Sequence, residues 1–112
     1  MNFSETNVDG IPVIAGKGRI DSGTAKACEE YLLSHVGDGR PALVLDLADV
    51  DYVSSAGLRV LVMASKRAMG LGIGFALCRL QENVAEVLEI SGLDDVLGVH
   101  ADLAAALTAV KG

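Results

Sequence analysis

A chain of 112 residues with 51% hydrophobic and 4% aromatic side chains can enclose one core packed from aliphatic residues, and is too short for two. Its formal net charge of −6 argues against the concentrated basic surface that nucleic-acid phosphates require. The most apolar stretch, Leu58 to Met69, is broken by Arg59, Lys66 and Arg67 and is shorter than the ~20 residues of a membrane span, so no membrane partner is expected.

The first ten residues are polar and carry Glu5 and Asp9, the reverse of the basic-then-apolar order of a secretory signal, so the expected location is cytoplasmic. Two strand-like runs flank Asp9-Gly10, a dipeptide that favours a hairpin turn. Ser22 or Thr24 then starts a helix that Gly37 stops, with Ala27, Tyr31, Leu32 and Val36 on its apolar stripe. "PALVLDL" after Gly39-Arg40 is a nearly continuous apolar run, the pattern of a central strand covered on both faces.

The segment "DYVSSAGLRVLV", Asp51 to Val62, passes from strand to helix at two adjacent serines. Leu58, Leu61, Val62, Ser65 and Met69 fall at helical spacing and form the expected buried stripe. On the opposite side, Arg59, Val60, Met63, Lys66 and Arg67 form a mixed apolar and basic face suited to docking an acidic partner. The helix should end near Gly70, followed by a strand over "IGFALCRL", a helix over "ENVAEVLEISG", a short strand over "VLGVH" and a terminal helix over "ADLAAALTAVK". Alternating strands and helices predict an α/β fold over residues 1–112: a single domain with a mixed, mostly parallel sheet of about five strands and about four helices.

Few side chains offer chemistry of their own. Gly70, Gly72 and Gly74 follow a helix and enter a strand, the reverse of a phosphate-cradling loop, and read as a cap and turn. Cys28 and Cys78 have no CxxC spacing and read as buried reduced thiols, with neither a metal site nor a disulfide. His35 and His100 lack a nucleophile or second ligand nearby in sequence and read as surface residues. Asp46, Asp49 and Asp51 could hold a hard cation if they converged, or stand as solvated loop charges. Ser54 and Ser55 can cap the helix, or one of them can accept a phosphoryl group where the macrodipole and free N–H groups tolerate an anion. A phosphate there, near Asp21, Asp49 and Asp51, would raise the negative potential and repel an acidic partner.

"GRIDSGTA" at Gly18 to Ala25, followed by "LVLDLADVDYVSSAGLRVL" at Leu43 to Leu61, resembles the STAS-domain family of anti-sigma-factor antagonists. The resemblance extends over most of the chain. It implies a non-enzymatic partner-switching module without a cofactor of its own, which binds a serine kinase that doubles as an anti-sigma factor and is released when phosphorylated. A PPM-type serine phosphatase would reset it. On this resemblance the phosphoacceptor is Ser55, two positions before Gly57-Leu58, with Ser54 the weaker candidate because many relatives carry Asp there. Asp21 matches the acidic residue beside the acceptor, and Gly18 and Thr24 match positions that shape the same edge. The alternatives are an unphosphorylated scaffold, a switch controlling a non-sigma output such as secretion, and a small nucleotide-binding enzyme.

Overall fold

The computed structural model describes residues 2–37 and 39–111; Met1, Asp38 and Gly112, included in the expected 1–112 domain, lie outside the described residues. The chain opens with β1 (Asn2–Val8) and β2 (Ile11–Ile20), paired antiparallel. Asp9 and Gly10 both have positive φ, 54° and 80°, as the tight turn between two strands demands. Then follow α1 (Ala25–Val36), β3 (Ala42–Val53), α2 (Ser55–Gly70), β4 (Gly74–Cys78), α3 (Glu82–Ile90), α4 (Asp94–Leu97), β5 (Val99–His100) and α5 (Leu103–Lys111). The five strands lie in sequence order in one sheet, with β2, β3, β4 and β5 parallel. The expected mixed, mostly parallel sheet is therefore present, with "PALVLDL" forming its centre as β3.

The sheet is covered unequally. Side chains of α1, α2, α3 and α4 share one core with Ile14, Leu43, Leu45, Leu47, Val50 and Leu77. Among the described residues only α5 packs on the other face, through Ala106 and Leu107 against Val13, Val44, Ala76 and Cys78. A Cβ at Gly74 would lie 2.8 Å from the carbonyl oxygen of Val110, so that glycine lets α5 lie directly on β4. Alternation of the two cores along β3 explains its unbroken apolar run.

Register shifts between β2 and β3 fall at Ala15/Lys17 and Gly18/Arg19, and Gly18 takes φ 120° at the second. Carbonyls in this irregular stretch are satisfied from the start of α3. Gln81 Nε2 donates to Ala48 O (2.9 Å) and Asn83 Nδ2 to Asp51 O (2.7 Å).

Four expectations are corrected. The "VLGVH" strand is mostly helix and turn: Val96 and Leu97 belong to α4, Gly98 is left-handed, and only Val99–His100 pairs with β4. Its apolar run could not distinguish a half-turn of buried helix from a strand. In α1 the buried positions are Cys28, Leu32 and Val36, whereas Ala27 is exposed. In α2 the buried arc is Gly57, Val60, Leu61, Ala64, Ser65 and Ala68, so Val60 is in the core and Met69 is 72% exposed. Small residues occupy the line of closest approach there, and a reading weighted towards large aliphatics rotates the helix away from it. His35 and His100 are half-buried rather than on the surface; His35 Nε2 lies 2.9 Å from Glu5, whose other oxygen pairs with Arg40 at 2.8 Å.

Gly57 sets how α2 sits. A Cβ at this position would lie 2.6 Å from Ile20 O and 2.8 Å from Ile20 Cγ2, with Val53 Cγ1 at 3.0 Å. Gly57→Ala should lower stability by about 1–3 kcal/mol in urea unfolding despite the better helix propensity of Ala, because backbone must shift to admit the methyl. Burial pushes the Cys28 and Cys78 thiols up to about 11. In the folded protein both should therefore resist a thiol reagent at pH 8, and both should react once denaturant is added.

Candidate functional site

The C-terminal ends of β2 and β3 lie side by side, with Arg19 opposite Tyr52 and Ile20 opposite Val53. From this edge β2 turns into α1 and β3 into α2. The two exits are joined by one backbone bond: Ser54 N–H donates to Ile20 O at 2.8 Å. Ser54 is extended (φ −87°, ψ 177°), and its Oγ accepts from the Gly57 N–H at 3.2 Å while its carbonyl accepts from Leu58 N–H at 2.8 Å. It is the N-cap of α2. Of the two serines, Ser54 thus has a structural duty and is half-buried.

Ser55 is the first residue of α2 and is exposed. Among the described residues no side chain hydrogen-bonds its hydroxyl. The backbone N–H groups of a first helical turn point outward beside it, a setting that favours a negative charge. What the geometry offers is an exposed hydroxyl in the first turn of α2.

Asp21 organises the neighbouring loop. Its Oδ1 accepts from Gly23 N–H at 2.9 Å and Thr24 N–H at 3.2 Å, and its Oδ2 lies 3.4 Å from Arg19 Nε. The Gly23 N–H, with Arg19 and the Thr24 N–H behind it, holds the Asp21 carboxyl below its ordinary range. Thr24 Oγ1 accepts from Asp21 N–H (3.0 Å) and donates to Arg19 O (2.7 Å), which ties the start of α1 back to β2. Gly18, with its left-handed φ, precedes this turn at the register shift.

Sequence reading missed two residues at this edge. The Arg19 guanidinium carbon lies 4.3 Å from the centre of the Tyr52 ring, and Tyr52 is exposed. Only the parallel register brings them together, and no spacing within either strand marks the pair. The three aspartates of β3 do not converge: Asp46 pairs with Arg79 at 3.5 Å and accepts from Ala48 N–H, while Asp49 and Asp51 are exposed. Among the described residues no group of three His, Cys, Asp or Glu side chains is placed to hold a metal ion.

The outer face of α2 continues from Ser55. Arg59, Met63, Lys66 and Arg67 are exposed, and Val62 is half-buried among them. Val60, grouped with this face from the sequence, is buried at 3% exposure between the helix and the sheet. Among the described residues no helix is long and apolar enough to cross a membrane.

The STAS domain family model matches residues 3–106. A Bordetella bronchiseptica protein, BtrV, assigned as an anti-sigma factor antagonist, is 35% identical over 99% of this chain and 96% of its own. The anti-sigma-F factor antagonist RsfB of Mycobacterium tuberculosis is 33% identical over 93% of this chain and 84% of its own. The crystal structure of an anti-sigma factor antagonist from Mycobacterium paratuberculosis superposes with a TM-score of 0.90 at 32% identity, covering 99% of this chain and 94% of that one. This chain belongs to the STAS-domain family of anti-sigma-factor antagonists.

Proposed function

We propose that this protein is a phosphorylation-controlled anti-sigma-factor antagonist whose unmodified α2 face docks on a serine kinase that doubles as an anti-sigma factor. The observation that carries this reading is the division of labour at the hinge. Ser54 caps the helix, so the adjacent Ser55 hydroxyl is exposed and not needed by the fold. Similarity to relatives named as anti-sigma factor antagonists supports the choice of partner class.

In this reading Arg59, Lys66 and Arg67 meet acidic groups of the kinase and Met63 supplies an apolar anchor, a combination typical of interface centres. Val60 contributes to the core rather than to the contact. On the kinase, with magnesium, the γ-phosphoryl group of ATP would pass to Ser55 Oγ as its bond to the bridging oxygen of ADP breaks and ADP leaves, with the hydroxyl proton going to a base on the kinase. Asp21 and Thr24 act through the loop they hold, and Gly57 by fixing the height of α2 over Ile20. The product adds about −1.5 to −2 charge one helical turn from Arg59. A dianion there opposes acidic groups that the basic helix face would otherwise attract, and the complex dissociates without unfolding. A PPM-type serine phosphatase would restore the hydroxyl.

The test is mass spectrometry of the protein from growing cells, with the modified site localised. Phosphate is expected on Ser55 and lost in Ser55→Ala, while Ser54→Ala keeps it; an intact, unmodified Ser55 in cells whose cognate kinase is active would overturn the proposal. Met63→Glu should weaken kinase binding roughly tenfold or more, about 1.4 kcal/mol, with unchanged circular dichroism. Val60→Glu should instead unfold the domain, because it buries an unpaired charge.

A further inference from the structure

The charges of this acidic chain are sorted between neighbouring helices. The α2 segment carries Arg59, Lys66 and Arg67 and no acidic residue, whereas residues 82–95, containing α3 and α4, carry Glu82, Glu86, Glu89, Asp94 and Asp95 and no basic one. Among the described residues none of these eight charged groups forms an ion pair. Each strip also exposes aliphatic side chains: Met69 and Leu71 at the end of the basic helix, and Ile90 (86% exposed) and Val96 (52%) on the acidic side. The strips are adjacent, because α4 touches both α2 and α3 and all three helices share one core on the same face of the sheet.

We infer that this helix layer is a self-complementary surface, and that its occupant is a second copy of the chain. A two-fold axis lying in the plane of the layer's outer surface, along the seam between α2 and α4, lays the basic strip of each copy on the acidic strip of the other. Both contacts then form at once, as a closed two-fold interface requires. The exposed aliphatics add apolar surface beside the charged strips. A different protein with only an acidic surface would satisfy half of this layer; a second copy satisfies both halves. The contact buries Arg59 and Lys66, so the dimer and the kinase complex proposed above exclude one another, but the dimer itself does not depend on that proposal.

Sedimentation equilibrium of the full chain tests this without any partner. In about 50 mM salt the apparent mass should rise towards two chains with protein concentration, and in about 500 mM salt, where the screening length falls to a few ångströms, it should return to one. Lys66→Glu/Arg67→Glu and Glu86→Lys/Glu89→Lys should each remain monomeric in low salt with native circular dichroism. Mixing these two variants should restore a dimer containing one of each, since both reversed strips again face opposite charge. A wild-type chain that stays monomeric in low salt, a mixture that fails to associate, or growth beyond two chains would overturn the inference.

Discussion

The close approach of α2 to the end of β2 is the constraint on which the candidate site depends. Gly57 has no side chain where Ile20 and Val53 press against the first turn, and the Ser54 N–H bond to Ile20 O joins the two segments just before it. This contact and the cap made by Ser54 fix the direction in which the helix leaves the sheet. Ser55 inherits its exposure from that direction. A hydroxyl one residue earlier is taken up in holding the helix, and the residue two positions later cannot carry a side chain at all.

The second exit from the same sheet edge is built with equal economy. Asp21 and Thr24 satisfy one another's backbone and that of Arg19 and Gly23, so the loop into α1 is held by side chains of its own. The carboxylate is consequently committed to local N–H groups, consistent with its lowered pKa. In the function proposed above, its part would be the shape and negative potential of the edge rather than proton abstraction. At the opposite end of α1, Glu5 bridges His35 and Arg40, and Phe3 stacks on Tyr31 at 4.3 Å, fastening the antiparallel hairpin to the helical layer. The irregular far end of β3 is likewise secured from the start of α3 by Gln81 and Asn83. The edge that carries Ser55 is thus held by the Asp21–Thr24 loop, by the Ser54 cap and by the bonds from Gln81 and Asn83 to β3.

Unequal covering of the sheet has a related consequence. Four helices on one face form a continuous outer layer, with α2 at its basic part and α3 and α4 at its acidic part. On the other face α5 seals a smaller core. The layered side is where helices of opposite charge meet.

Local sequence determined much of this protein. The Asp-Gly hairpin, the alternation of apolar runs with helical stripes, the serine hinge and the motifs around Gly18 and Ser55 were all legible, since each is encoded by residues within a few positions of one another. Tertiary structure alone decided the rotation of α2, because the buried line follows the small residues Gly57, Ala64 and Ala68, whose value lies in the closeness of a neighbour the sequence does not display. It also decided that Val60 turns inward, that Ser54 rather than Ser55 is spent as the cap, and that Arg19 stacks on Tyr52 across a parallel register. Those outcomes depend on distances between segments far apart in the chain, and a periodicity read along one segment carries no information about them.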